Sequence, residues 1–308
     1  MADPVIQTES LTKIYKGELE HKPVTALNDL NLKVQQGEVY AFLGPNGAGK
    51  STTIKLLTRL IFPTSGRIAI HGRDIRDRSA LGRIGFMPEQ PNLYGYLTGR
   101  EFLDYVGAIF RMGEALRSKR AEELLSQTGL EKAGDRRIRG YSRGMTQRLA
   151  LAQALMNDPD LLILDEPMSN LDPIGRKDVR DIILDLKSQG KTIFFSSHIL
   201  SDAEMIADRI GILNEGRLVQ VGTMSELVDR QIEATEVTFE LAADKLASLS
   251  PKGLTPIQQE NRAMIRLEDT SGLDELLQSV NRAGGKVISV IPQRKSLEDY
   301  FIAQLGRN

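Results

Sequence analysis

The sequence predicts an α/β protein with a parallel sheet, followed in the chain by a small α+β domain. Two observations predict the sheet. VYAFL (39–43) is a short apolar run that ends on the glycine-rich stretch GPNGAGKS (44–51), which reads as a buried strand entering a turn. LLIL (161–164) and TIFF (192–195) are two further buried-strand candidates, and the helical pattern over 173–188 lies between them, as a βαβ unit requires. A third observation predicts the extra domain: the patterning changes near residue 230 of a 308-residue chain, about twice the ~150 residues usual per domain.

In chain order, residues 1 to about 90 alternate short β-like runs with glycine-rich turns. Residues 91 to about 157 read as helical: Thr98 and Glu101 form a T-x-x-E capping box ahead of FLDYVGAIF, and 114–128 is rich in Ala, Leu, Glu and Arg. From 160 to about 222 strand and helix alternate. Beyond 230 the runs 236–240, 263–267 and 286–291 read as strands and 271–283 as a helix. SLEDYFIAQL (296–305) reads as an amphipathic helix with Leu297, Tyr300, Phe301 and Leu305 on one stripe. The expected division is a domain over 1–230 and an α+β domain over 231–308, the latter without a chemical motif.

Hydrophobic residues make up 41% and charged residues 26% of the chain, which excludes wholesale disorder, collagen and coiled coil. Lys+Arg 40 against Asp+Glu 41 gives a formal net charge of −1, so there is no global field to hold nucleic acid or an anionic membrane, and no nucleic-acid partner is expected. Without Cys there is no disulfide, thiolate nucleophile or Cys-ligated metal. MADPVIQTES has neither basic nor apolar regions of a secretory signal, and no apolar run approaches the ~18 residues of a membrane span. Any membrane role is therefore expected to be peripheral.

GPNGAGKS matches G-x-x-x-x-G-K-[ST]. In such a loop, here Gly44, Pro45, Asn46, Gly47, Ala48 and Gly49, the glycines let backbone amides point inward around phosphate oxygens, and the helix expected over TTIKLLTRL adds the positive potential of its N-terminus. Lys50 is placed for β- and γ-phosphates and Ser51 for Mg²⁺, with Thr52 beside them. By itself the loop does not choose among GTPase, kinase and ATPase. LLILDEP (161–167) puts Asp165 and Glu166 at the C-terminal end of a strand, where open parallel sheets bind ligands. There Asp165 is a metal ligand, direct or through water, and Glu166 polarises the attacking water.

With these two motifs in place, the chain resembles the nucleotide-binding subunit of an ABC (ATP-binding cassette) transporter over roughly residues 5–225. Gln90 in MPEQPNLY resembles the family's Q-loop, YSRGMTQRLALAQAL (141–155) its signature motif, SNLD (169–172) its D-loop and His198 in SSHIL its switch histidine. Pro63-Thr64-Ser65-Gly66 is also typical. The signature departs from the common LSGGQ pattern: Tyr141, Arg143 and Met145 stand for Leu, the first Gly and Gln, while Ser142 and Gly144 remain. There is no N-K-x-D element for guanine, and neither tandem cassettes nor a coiled-coil insertion of the cytosolic relatives that act on ribosomes or DNA.

The resemblance implies a P-loop NTPase core with an antiparallel β subdomain and a helical subdomain over about 91–157. It implies an ATPase that uses ATP and Mg²⁺, with two cassettes, copies of this chain or paralogues, packed head to tail over two ATPs. On that analogy Glu166, His198, Lys50 and Gln90 are catalytic; Ser51, Gln90 and Asp165 surround Mg²⁺; Ser142 and Gly144 touch the γ-phosphate across the dimer; Asp172 organises the partner's loop; and Tyr15 stacks on adenine. Ser142 also reads as the N-cap of a helix over 143–156, and Asp172 as that of one opening at Pro173. The phosphate loop, the YSRGM signature and the SLEDYF tail together resemble bacterial exporter-type cassettes. That implies a peripheral subunit on the cytoplasmic face of the inner membrane, docked on separately encoded integral membrane subunits through LYGYLTGREFLDYVGAIF (93–110). The transported substrate has no pocket in this sequence.

Overall fold

The apolar runs gather into two compact units, Met1–Met224 and Ser225–Asn308, in a computed structural model that describes residues 4–16, 22–227, 232–241, 257–259, 262–268 and 272–294. The division falls a few residues before the expected 230, because the last strand of the first unit's sheet closes at Gly222. The chain opens with β1 (Ile6–Tyr15), β2 (Val24–Leu30), β3 (Lys33–Val34) and β4 (Val39–Leu43), then helix α1 (Lys50–Leu57), β5 (Ser65–Ile70), β6 (Arg73–Asp74) and β7 (Ile84–Met87). Helices α2 (Gly99–Ile109), α3 (Glu114–Gln127) and α4 (Arg143–Ala154) follow. Then come β8 (Leu161–Leu164), α5 (Pro173–Ser188), β9 (Thr192–Ser197), α6 (Leu200–Ile206), β10 (Arg209–Asn214), β11 (Arg217–Gly222) and the short α7 (Met224–Leu227).

Two sheets make the first unit. One is antiparallel, β2-β1-β5-β6 with β3 on β1; the other runs β11-β10-β4-β9-β8-β7. In the second, β7 to β10 and β4 pair parallel and β11 closes the edge antiparallel. Its central strands need apolar residues on both faces: all five residues of VYAFL and all four of LLIL are buried. One core joins the sheets, with Leu11, Leu27 and Ile68 from the antiparallel sheet, Ile54 from α1, and Tyr40, Phe42 and Phe194 from the parallel one. The Tyr40 and Phe194 rings lie 5.8 Å apart and Phe42 and Phe194 5.3 Å. Parallel register sets Leu43 opposite Ser197 and Leu164 opposite Phe195. The residues that follow these strands, Gly44, Asp165 and His198, therefore emerge at one edge.

Between β7 and β8 the chain is helical. The expected capping box is present: the Thr98 hydroxyl accepts from the Glu101 N–H at 3.2 Å, and Glu101 Oε2 accepts from the Thr98 N–H at 2.8 Å. Tyr94 packs its ring on Tyr96 and Tyr105, with centroids 5.8 and 5.6 Å apart, and all three are exposed together with Ile109, Phe110 and Leu116.

The second unit holds β12 (Ile232–Glu240), β13 (Ile257–Gln259), β14 (Arg262–Leu267), helix α8 (Leu273–Arg282) and β15 (Lys286–Arg294). The strands order β13-β14-β12-β15, all antiparallel. Val237, Phe239, Ala263, Ile265 and Leu267 form a core with Leu276 and Val280 of α8. The stripe expected over 296–305 lies outside the described residues.

Candidate active site

A cavity of about 570 Å³ opens at the C-terminal edge of the parallel sheet, lined among others by Pro45, Asn46, Gly47, Gly49, Lys50, Ser51, Thr52, Glu166 and His198. The loop that frames it depends on Gly49, whose φ of 109° lies in the left-handed region and whose added Cβ would meet the Ala26 carbonyl oxygen at 2.6 Å. Gly44 and Ala48 are not part of the wall. Ala48 is buried in the core, and Gly44 sits under the Leu213 carbonyl, 2.5 Å from where a Cβ would be.

Lys50 is buried, and its ammonium donates to the carbonyls of Gly44 at 2.7 Å and Pro45 at 3.2 Å. It also pairs with Glu166 Oε1 at 3.4 Å. Glu166 Oε2 lies 2.8 Å from His198 Nδ1 and accepts from the His198 backbone N–H at 3.4 Å. One carboxylate thus bridges the loop lysine and the histidine. Glu166 sits at φ 49°, a conformation that costs a bulky residue of order 1 kcal/mol or more and clusters at functional sites. Its N–H donates to Ser196 Oγ at 2.9 Å, and the Ser196 hydroxyl donates onward to Asp165 Oδ1 at 2.7 Å.

The Ser51 hydroxyl faces the same Asp165 oxygen at 3.5 Å. Burial pushes the Asp165 carboxyl above its ordinary value, and the neighbouring Glu166 charge adds to this; hydrogen bonds from Ser196 and Ser51 and the Lys50 charge pull the other way. Ser51 and Asp165 offer hard oxygen donors of the kind Mg²⁺ takes. No group of three or more His, Cys, Asp or Glu able to hold a metal exists among the described residues. Such an ion would therefore take its remaining ligands from phosphate and water. The residues present fit Mg²⁺ carried by a nucleotide.

A second cavity, of about 410 Å³, brings together Ser142, Gly144 and Asp172. The expected caps are both formed: Ser142 Oγ accepts from the Met145 N–H at 3.3 Å, and Asp172 Oδ1 from the Gly175 N–H at 2.9 Å. Asn170, at φ 59°, lines both cavities. Gly144 has nothing within 4 Å of an added Cβ, so the packing of its own chain does not demand a glycine there.

Two expected residues stand apart. Gln90 is exposed in the bend after β7, and the residue of that bend in the cavity wall is its neighbour Glu89. Tyr15, 39% exposed at the end of β1, has the Lys13 ammonium 5.1 Å from its ring centroid and is not in the wall; Ala26 is. Sequence reasoning missed Ser196, Arg176 and Glu89, and read Ser169 and Asn170 only as part of the SNLD motif. Ser196 had a signal in TIFFSS: parallel register places it beside the residue after LLIL.

The same fold and sequence pattern recur in known proteins. The ABC transporter family profile matches residues 27–169. An uncharacterised ABC transporter ATP-binding protein of Synechocystis is 43% identical over 98% of this chain and 84% of its own. The bacitracin transport ATP-binding protein BcrA of Enterococcus faecalis is 37% identical over 98% of this chain and 96% of its own. A solved ATP-binding cassette, dimeric in a post-hydrolysis state with ADP and Pi, superposes with a TM-score of 0.65 at 29% identity, covering 71% of this chain and 98% of that one. The chain belongs to the ABC transporter family, as an ATP-binding subunit with the P-loop ATPase fold.

Proposed function

We propose that two such cassettes, copies of this chain or this chain and a paralogue, close head to tail on two Mg–ATP. Their ATP hydrolysis then powers export of a substrate through separately encoded membrane subunits, from the cytoplasmic face of the membrane. One observation carries the shared site. Lys50, Glu166 and His198 meet in one cavity, while Ser142, Gly144 and Asp172 line another. A phosphate held by the first group is then completed by the second group of a facing chain. The glycine at 144, unneeded by its own chain, leaves backbone open to such an approach.

Within the site Lys50 binds the β- and γ-phosphates, and the backbone amides of residues 46–51 surround them. Ser51 and Asp165 would hold Mg²⁺, which would neutralise charge on the phosphates. Glu166, oriented by His198 and by its N–H bond to Ser196, accepts the proton of the attacking water. Gln90 enters the site through a turn of its bend, favoured because phosphate repels the Glu89 carboxylate now in the wall. Tyr15, at the end of β1 beside the strand that carries the wall residue Ala26, supplies a face for the adenine. The exposed Tyr94, Tyr96, Tyr105, Ile109 and Phe110 within 93–110 form the docking surface for the membrane subunit. Export is favoured by the likeness to BcrA and to the lantibiotic transport protein SrtF of Streptococcus pyogenes, 44% identical over 63% of this chain.

Mixing two inactive variants, Ser142→Arg and Lys50→Ala, tests the sharing. A mixed dimer has one doubly damaged site and one intact site, so activity returns. If verified mixed dimers stay silent and ATP cross-links to Ser142 and Lys50 of the same chain, the shared-site reading is wrong.

A further inference from the structure

Four residues after His198 stands a carboxylate that the chemistry above does not use. Asp202, in the first turn of α6, is 1% exposed and shares the buried side of the helix with Ala203 and Ile206. Its Oδ1 pairs with Arg180 Nη1 at 3.5 Å, and its Oδ2 has no hydrogen-bond partner. An ion with one long pairing and a bare oxygen is a costly thing to bury. Burial raises its carboxyl above the ordinary value, opposed by the charges of Arg176, Arg180 and His198.

Arg176 and Arg180 stand four residues apart on one face of α5. Arg176 lines the nucleotide cavity, and its Nε donates to the Leu171 carbonyl at 3.2 Å, in the turn that carries Asn170 and Asp172. One buried carboxylate therefore pairs with Arg180 on the face of α5 that also carries Arg176, while standing four residues after His198. We propose that Asp202 is a positioning residue of the ATPase site: with Arg176 and Arg180 it locks the 169–172 turn to the turn bearing His198. The inference rests on the reading of Glu166 and His198 as the hydrolytic pair. The two turns belong to the two cavities, so the lock fixes the hydrolytic face of one nucleotide and the surface offered to the other in a single geometry.

The test compares Asp202→Asn, Arg176→Gln and the double variant, in the full chain, for ATP turnover against equilibrium ATP binding. Asp202→Asn keeps the side-chain volume and removes the charge. In Asp202→Asn, misplacement of a catalytic group by a fraction of an ångström is expected to lower kcat about tenfold, with KM and the affinity for ATP near wild type. The double variant is expected to be no worse than the poorer single one, since both break one lock. Wild-type kcat in Asp202→Asn, losses that multiply, or a fall in ATP affinity matching the fall in turnover would each overturn the proposal. If Asp202→Asn does not fold, Arg180→Gln carries the same kcat-only expectation, and wild-type turnover in it refutes the lock. Glu166→Gln run in parallel separates the two readings. Should it turn over normally, the hydrolytic assignment has failed; should it be silent while Asp202→Asn is normal, only the lock has failed.

Discussion

On the proposed reading of Glu166 as the base, replacing it by Gln should separate hydrolysis from binding, and the geometry gives the expected sign of each effect. Glutamine keeps the volume and an oxygen that accepts from the His198 backbone, 3.4 Å away in the native chain. It lacks the charge and the basicity. Loss of a positioned base is worth about 10²–10⁴ in rate, or about 2.7–5.4 kcal/mol of barrier. Binding moves the other way. Lys50 and Glu166, 3.4 Å apart, attract with about 5 kcal/mol before solvation at an effective dielectric of ~20, and burial of both ions offsets much of it. A phosphate must displace Glu166 from Lys50, and a neutral glutamine side chain in its place is easier to displace. Phosphate release should fall by two orders of magnitude or more, while equilibrium ATP binding stays equal or tightens and a closed, ATP-loaded dimer accumulates. Phosphate release near the wild-type rate would refute the assignment of Glu166.

Asp165 carries a carboxyl raised by burial, so the folded chain holds its proton more tightly than the unfolded one. Its contribution to stability is full below the ordinary aspartate value and is lost as pH rises through the raised one. Asp165→Asn should therefore raise the Tm of the nucleotide-free chain at neutral pH, by ~2–4 °C for about 1 kcal/mol; the gain should shrink in acid and Mg–ATP turnover should be lost. An unchanged or lowered Tm would count against a buried, charged Asp165. Gly144→Ala should leave the single chain as stable or more so, by about 0.5–1 kcal/mol for alanine in a helix, yet weaken ATP-driven dimerisation in sedimentation. Normal dimerisation would remove the partner from that surface. Deleting 231–308 removes the whole C-terminal sheet and should leave ATP binding intact. If the tail clamps two chains together, hydrolysis by the truncated protein becomes steeply concentration-dependent, and full-chain behaviour at every concentration rules the clamp out.

What the sequence revealed follows from how local its signals are. LLIL is β8 without adjustment, and 173–188 is α5, because a fully apolar run and an Asp172–Pro173 helix start are both written within a few residues. The antiparallel sheet is legible only as alternating β-like runs. β1 breaks its period: Ser10 takes φ 46°, and the pairings with β2 and β5 shift register along it. The same split runs through the site. Lys50, Ser51, Asp165 and Glu166 announce themselves by motif, whereas Ser196 reaches Asp165 across 31 positions and Asp202 reaches Arg180 across a helix and a strand. The expected Gln90 stands one position from the wall residue Glu89, because a bend and not a regular element decides which of two adjacent polar residues enters the wall.

The contacts of Lys50 bear on which anions the phosphate loop can take. Its lysine already faces three oxygens, from Gly44, Pro45 and Glu166. Orthophosphate or sulfate arriving alone must break that satisfied arrangement, with no adenine or second phosphate to help. A small anion at Lys50 therefore competes with three oxygens of the chain itself.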